Sequence, residues 1–162
     1  MITIEIPLEP YAQERPRFAK VGRFVKVYDS AKSKAWKTAA RLYIRAAILH
    51  LKGRPKDGHA EIPVYQSGTV LGVRLRFFFP LPKSAHRKRQ PPMARWYTGS
   101  MDFDNLAKCV CDAGNGLLWA DDRQIAYAEV FKIRVAQGGR QPGVSIEAWE
   151  LDQATALQWE GL

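Results

Sequence analysis

Alternating apolar and polar positions predict four β-strands along this chain of 162 residues. The pattern recurs in ITIEI (2–6), in VLGVRLRFFF (70–79), in RQIAYAEVFKIRV (123–135) and in GVSIEAW (143–149). A period of two is typical of strands with one buried face. In the third segment, the odd-numbered apolar residues are expected to face the core: Ile125, Tyr127, Phe131, Ile133 and Val135.

Helical spacing of apolar residues predicts two helices. The first follows a cap at Asp29 or Ser30 and runs to about Leu51. Its predicted apolar face holds Trp36, Ala39, Ala40, Tyr43, Ala47 and Leu51. The second begins near Asp104 and stops at Gly114. Its predicted buried face holds Leu106, Cys109, Val110 and Ala113.

Strands and helices interleave, which predicts an α+β fold: a single domain, residues 1–162, with a mixed β-sheet backed by helices. Residues 54–69 are expected to form a loop, 83–95 a mobile basic loop, and 152–162 a short tail. No apolar run is long enough to span a membrane, and the first residues lack the features of a signal peptide. The two cysteines are too few for a disulfide framework, so we expect a cytoplasmic protein.

The net charge of +9 is unevenly distributed along the chain. Residues 1–97 hold 20 Lys or Arg and 6 Asp or Glu, whereas residues 98–162 hold 5 and 10. A basic surface indicates a polyanionic partner, most often nucleic acid, but it also serves solubility. Composition alone leaves both interpretations open.

Several basic residues are candidates for contact with phosphate. Arg15 and Arg17 follow the first strand. The basic loop contributes Lys83, Arg87, Lys88, Arg89 and Arg95. A stripe along the first helix, which is either a phosphate track or a solvated face, holds Lys34, Lys37, Arg41 and Arg45. Trp96 and Tyr97 suit stacking on an unpaired base or packing in the core.

Five aspartates gather between residues 101 and 122: Asp102, Asp104, Asp112, Asp121 and Asp122. In an extended segment, Asp102 and Asp104 point the same way. Asp121 and Asp122 point opposite ways, and we favour Asp122 as the third acid because its even number places it away from the core side. Carboxylates held this close repel one another unless a cation lies among them.

The oxygens of these acids suit Mg²⁺, which keeps several waters and completes its shell with substrate phosphate. Lys108 is placed to steady a phosphate or the charge on a leaving oxygen. The pattern predicts metal-assisted hydrolysis of a phosphodiester bond, with the basic surface holding a nucleic acid. Each acid also has a structural interpretation, Asp102 as a helix cap, Asp104 as a first-turn acid and Asp121–Asp122 as a turn. The ligand spacing of an EF-hand or a zinc site is not present.

The segment MDFDNLAKCVCDAGNGLLWADDRQIAYAEVFK resembles the signature of the RusA-like Holliday-junction resolvases, D-x-D-N-L-x-K-x-x-x-D-x-x-N-G followed by D-D-x-Q-[IV] and a later Lys. The matching positions are Asp102, Asp104, Asn105, Leu106, Lys108, Asp112, Asn115, Gly116, Asp121, Asp122, Gln124, Ile125 and Lys132. ERPRF, residues 14–18, is similar to an early R-P-R element of the family. Gly114 replaces a Leu that the family often has, and is expected to loosen the end of the helix.

The resemblance implies a Mg²⁺- or Mn²⁺-dependent endonuclease that acts as a homodimer and nicks two opposed strands of a four-way DNA junction. It implies that Asp102, Asp104 and Asp122 bind the metal, that Asp121 is a neighbouring acid of less certain role, and that Lys108 is a catalytic lysine. Lys132 lies about 33 Å from Asp122 along a straight strand at ~3.3 Å per residue. Lys132 is therefore assigned to DNA or to the partner subunit's site.

Two other functions compete with this one. The first is a different metal-dependent nuclease or phosphotransferase that uses an Asp-x-Asp pair. The second is a branched-DNA-binding protein without catalysis. The thirteen matched positions argue against the first, and the intact Asp102, Asp104, Lys108 and Asp122 argue against the second.

Overall fold

Seven strands and two long helices make up the part of the chain that this computed structural model describes, which is residues 1–14, 17–21, 23–28, 30–52, 62–152, 154 and 156. Side chains are not described for 17–21, 24–28 and 52. The strands are β1 (Ile2–Ile6), β2 (Arg17–Val21), β3 (Phe24–Tyr28), β4 (Leu71–Phe79), β5 (Arg95–Trp96), β6 (Ile125–Arg134) and β7 (Gly143–Glu150). The helices are α1 (Ala31–Lys52) and α2 (Phe103–Gly114), with one-turn 3₁₀ helices at Lys83–Ala85 and Asp122–Gln124.

Five strands form one mixed sheet in the order β1-β7-β4-β6-β5, and β2 and β3 form a separate antiparallel pair. Only β4 and β6 pair in parallel within the larger sheet, and α2 lies in the connection between them. Parallel neighbours need a long crossover of this kind, because the end of the first strand and the start of the second lie at opposite ends of the sheet. The predicted α+β class, a single domain with a mixed sheet and helices, is confirmed.

The hydrophobic core lies between one face of the sheet and the two helices. The alternation predicted for β4 is confirmed, because its five odd-numbered residues are buried and Arg74 and Arg76 are not. The predicted buried face of α2 is confirmed as well: Leu106, Cys109, Val110 and Ala113 are all fully buried. Among the described residues, no helix combines the length and the apolar character needed to cross a membrane.

The start of α1 agrees with prediction, but its buried face does not. Ser30 caps the helix, since its Oγ accepts a hydrogen bond from the Ser33 N–H at 3.2 Å. The residues fully buried on α1 include Ala40, Ile44 and Ile48. Tyr43 and Leu51, which were expected in the core, are 41% and 55% exposed. The error arose because apolar residues occupy more than one side of this helix, so their spacing fits two faces.

The prediction that the odd-numbered residues of this segment face the core is wrong for Tyr127, Phe131 and Ile133. Ile125 does pack against the core, and Val135, just after β6, is buried. A register shift pairs Leu71 with Ile125 but Gly72 with Tyr127. From there onward the even-numbered residues of β6 oppose the buried residues of β4, as in the pair Leu75 and Val130. A β-bulge changes which side chains face each way, because the side-chain period of a strand is two.

The face of the sheet opposite the helices therefore carries the odd-numbered residues of β6. Arg74 pairs with Glu129 and, at 3.1 Å, with Glu147, and Arg76 also pairs with Glu147. Hydrogen bonds from Arg74 and then from the Tyr127 hydroxyl hold the pKa of Glu129 below its ordinary value. The hydrogen bond from Arg76 does the same for the pKa of Glu147. The two arginines of β4 are thus neutralised by acids of the adjacent strands.

The last turn of α2 packs tightly against Trp119 at Gly114, the residue that was expected to loosen the end of this helix. Gly114 is fully buried, and a Cβ built on it would lie 2.6 Å from Cζ2 of Trp119. Trp119 is itself fully buried in the core. Gly114 therefore allows the indole to pack against the last turn of α2, which corrects the expectation drawn from sequence.

We expect Gly114→Ala to lower the free energy of unfolding by roughly 1–3 kcal/mol, the usual cost of an added methyl group in a packed core. Urea unfolding measures this loss. The paired variant Gly114→Ala/Trp119→Phe should lose less than the sum of its two single variants, since the smaller ring leaves space for the methyl group. A Gly114→Ala protein as stable as the wild type would show that the contact is not tight.

Candidate active site

The two acids at the start of α2 are exposed. Asp102 is the N-cap residue, yet its side chain makes no capping hydrogen bond. Asp104 lies in the first turn, where the helix dipole favours a negative charge. Neither carboxylate has a hydrogen bond or an ion pair with another residue that the structure describes. The alternative in which Asp102 serves as a helix cap thus loses its main support.

Lys108 lies one turn further along α2 than Asp104 and is exposed. Residues four apart on a helix are neighbours on its surface. The ammonium group of Lys108 is therefore carried on the same side of α2 as the Asp104 carboxylate. This agrees with its predicted place beside a phosphate but does not test its role.

The segment that follows β1 runs beside the first turn of α2. The backbone N–H of Gln13 donates a hydrogen bond to the Asn105 carbonyl at 3.0 Å. Arg15, predicted to contact DNA, follows two residues later but lies outside the described residues. Arg17 is the first residue of β2, and its side chain is not described. Their assignment to DNA remains a prediction.

Lys132 is brought to the residue that precedes Asp102. Its Nζ donates a hydrogen bond to the carbonyl oxygen of Met101, and it lies 5.3 Å from the centre of the Tyr97 ring. The sequence argument considered only the distance from Lys132 to Asp122 along β6. It missed the return of the chain from β5 to α2, which passes over Lys132. That Lys132 contacts DNA stays a prediction. In this structure its amine is hydrogen-bonded to the carbonyl of Met101, the residue before Asp102.

The turn that carries Asp122 lies against α2, and the charge of Asp122 acts on Cys111 of that helix. Burial raises the pKa of the Cys111 thiol to about 12, and the charges of Asp122 and then Asp112 add to the effect. Asp122 is therefore close enough to Cys111 to act on it. Whether Asp122 shares a metal with Asp102 and Asp104 stays a prediction.

Asp121 and Gln124 hold the turn that carries Asp122. The Asp121 carboxylate accepts hydrogen bonds from Arg123, at 3.0 Å from its backbone N–H and at 2.8 and 3.1 Å from its guanidinium. These hydrogen bonds hold the pKa of Asp121 below its ordinary value. The Gln124 amide accepts from the N–H groups of residues 120 and 121 and donates to the carbonyls of Gln66 and Thr69. Asp121 and Gln124, two positions of the RusA-like signature, thus stabilise the turn that carries Asp122.

Asp112 and two members of the basic stripe join α1 to α2. Lys37 forms an ion pair with Asp112 at 3.2 Å. Arg41 donates to the carbonyls of Ala113 and Asn115 at 2.9 and 2.7 Å, where the end of α2 favours a positive charge. The stripe therefore serves packing at these two positions, and only Lys34 and Arg45 remain exposed.

The predicted basic loop is anchored to the turn after β6. The Gln137 side chain accepts from the Arg87 N–H at 2.8 Å and donates to the Arg87 carbonyl at 3.1 Å. The Gln137 N–H donates to the Pro92 carbonyl at 3.0 Å. The loop is thus held at both Arg87 and Pro92, whereas it was expected to be mobile. Its predicted DNA-binding residues, Lys83, Arg87, Lys88 and Arg89, are all exposed.

Trp96 and Tyr97 point to opposite faces of the sheet. Trp96 is 70% exposed and lies 6.4 Å from Phe131 on the face opposite the helices, measured between ring centres. Tyr97 stacks on Phe79 with ring centres 3.7 Å apart. Core packing therefore accounts for Tyr97, and Trp96 remains available for a partner.

The described residues contain no group of three or more His, Cys, Asp or Glu side chains close enough together to hold a metal ion. Asp102 and Asp104 alone still suit Mg²⁺, which often binds one or two carboxylates and takes its other ligands from water and phosphate. A shared site for Asp102, Asp104 and Asp122 stays a prediction.

Comparison with protein families identifies the chain as a nuclease. The sequence model described as endodeoxyribonuclease RusA matches residues 7–148. The chain therefore belongs to the RusA family of endodeoxyribonucleases, enzymes that act on branched DNA. A comparison with curated proteins gave no significant match.

Sequence reasoning missed the cluster around Tyr97. Lys132 and Arg134 lie 5.3 and 5.0 Å from the centre of its ring. The even spacing of Lys132 and Arg134 in β6 showed that they share a face. The sequence contained no sign of the register shift that turns this face toward Tyr97.

Proposed function

We propose that this protein is a metal-dependent endodeoxyribonuclease that resolves Holliday junctions by paired, symmetric nicks. The observation that carries the proposal is the pair Asp102 and Asp104, exposed and without partners among the described residues, in a member of an endodeoxyribonuclease family. Two neighbouring carboxylates repel each other, and a positively charged ligand bound between them would remove that repulsion.

That ligand is a divalent cation, Mg²⁺ or in its place Mn²⁺. Asp102 and Asp104 would hold it, with Asp122 as the third acid. Asp121 is the weakest of the predicted ligands, since both of its carboxylate oxygens bond to Arg123. When bound, such a cation activates water and stabilises the negative charge that develops at the phosphorus centre.

The side chains around these acids have roles that follow from their positions. Lys108 binds a phosphate oxygen or stabilises the charge on the leaving oxygen. Lys132 fixes the Met101 carbonyl and so orients the backbone that leads into Asp102. Lys88 and Arg89, exposed on the anchored loop, contact the DNA backbone without reading its bases.

We expect Asp→Asn at residue 102, 104 or 122 to slow cleavage of a four-way junction by at least about two orders of magnitude, as the loss of a group that stabilises transition-state charge can do. Junction binding without metal should persist, because the variant repels phosphate less. The matched control is Asp152→Asn, an exposed acid that caps the backbone N–H of Ala154. Near-normal cleavage by any of the three variants would remove that residue from the site.

Cleavage assays of the wild-type protein distinguish the competing functions. A wild-type protein that binds junctions but does not cut them with Mg²⁺ or Mn²⁺ would favour the non-catalytic binding protein. Cleavage of linear and branched DNA at equal rates would favour a different Asp-x-Asp nuclease.

We also propose a homodimer as the functional unit. Two opposed nicks in a symmetric junction need two active sites related by a two-fold axis, and a closed dimer is the simplest arrangement that supplies them. Sedimentation at micromolar concentration should give twice the mass of the 18.4 kDa chain, alone or on a junction. A strictly monomeric complex that still makes paired nicks would contradict the dimer.

A further inference from the structure

Two arginines face each other without an acid between them where β5 meets β6. Arg95 and Arg134 are directly opposed in this antiparallel pair, so their side chains leave the same face of the sheet. Like charges in directly opposed positions destabilise a sheet. Neither guanidinium has an acidic partner among the residues that the structure describes. Two adjacent positive charges are therefore left without an acid at this edge of the sheet.

Other arginines in or beside this sheet are paired with acids. Arg74 and Arg76 point to the opposite face, and each is paired with an acid of an adjacent strand. Arg140, in the connection between β6 and β7, lies 4.0 Å from the centre of the Phe78 ring and pairs with Glu5. Acids thus neutralise these three arginines, whereas Arg95 and Arg134 have no acidic partner among the described residues.

Tyr97 contacts one member of this pair, Arg134. Its ring stacks on the buried Phe79, and Arg134 lies 5.0 Å from the ring centre, within the range of a cation–π contact. The chain passes closely over the ring, since a Cβ at Gly99 would lie 2.3 Å from Cζ of Tyr97. Tyr97 is therefore held from two sides and cannot move freely with the arginine.

Lys132 and Met101 connect the pair to the start of α2. Lys132 is two residues before Arg134 on the same face of β6, contacts the same tyrosine ring, and donates to the carbonyl of Met101. Met101 directly precedes Asp102. An anion held by the two arginines therefore lies on the approach to Asp102 and Asp104, on the helix side of the sheet.

We propose that Arg95 and Arg134 form a binding site for one backbone phosphate of the DNA strand that enters the active site, and that Tyr97 is the residue that positions Arg134. Guanidinium groups suit phosphate because their donors match its oxygens in pairs. The proposal rests on the proposed function, since it takes the anion to be a phosphate of DNA. It adds Arg134, which lies outside the Asp102 to Lys132 signature, and pairs it with Arg95, the last residue of the predicted basic loop.

The test measures how the affinity for a four-way junction depends on salt, without divalent metal, for Arg95→Gln, Arg134→Gln and the double variant. The double variant should make the log–log slope shallower by roughly 0.9, the value for one phosphate contact on duplex DNA. Each single variant leaves one arginine on that phosphate, so its slope should lie between those of the wild type and the double variant. Arg134→Lys keeps the charge and should retain the wild-type slope.

Arg140→Gln is the matched control, since it also removes an arginine placed over an aromatic ring, but one that is paired with an acid. It should leave the slope unchanged. Tyr97→Leu should weaken junction binding in the wild-type background and have no further effect on Arg134→Gln. Circular dichroism verifies that each variant is folded.

A slope for the double variant equal to that of Arg140→Gln would overturn the proposal. A double variant whose slope is shallower by roughly 1.8 would overturn it as well, because that loss corresponds to two separate phosphates. These outcomes are distinct from failure of the proposed function. If the wild-type protein does not cut junctions, the nuclease proposal fails whatever the slopes are. If it cuts them and the slopes do not change, only the Arg95 and Arg134 site fails.

Discussion

The rest of the structure depends on the parallel pairing of β4 with β6, which contains a register shift between Leu71 and Gly72. The shift turns the even-numbered residues of β6 toward the helices. Val130 consequently packs against the core, while Lys132 and Arg134 reach Tyr97 at the far end of the strand. Without the shift, two cations would lie on the opposite face of the sheet, away from Asp102.

The same constraint separates the charges of the sheet into two environments. On the face opposite the helices, Arg74 and Arg76 are balanced by Glu129 and Glu147. On the helix face, Lys132, Arg134 and the opposed Arg95 have no acidic partner among the described residues. This arrangement favours the binding of a polyanion. Cations without an acidic partner can neutralise phosphates, and each phosphate neutralised releases counterions from the DNA.

Sequence reasoning succeeded where local pattern decides the structure. The alternation in β4, the buried face of α2 and the Ser30 cap all depend on neighbours within a turn or a strand, and all were predicted. It failed for β6 and for the buried face of α1, because a bulge is a property of two paired strands and the apolar spacing of α1 fits two faces. The acids of the candidate site were found from sequence through their density in a basic chain. The positions of Lys132 and Tyr97 were not, since they depend on the return of the chain from β5 to α2.

The central claim is that the exposed acids at the start of α2 serve the cleavage of branched DNA. The most direct measurement compares, in Mg²⁺, the rate and the position of cuts in a four-way junction and in a linear duplex of the same sequence. The account predicts two symmetric nicks on opposed strands of the junction and much slower cutting of the duplex. Equal cutting of both substrates, or scattered single nicks in the junction, would contradict it.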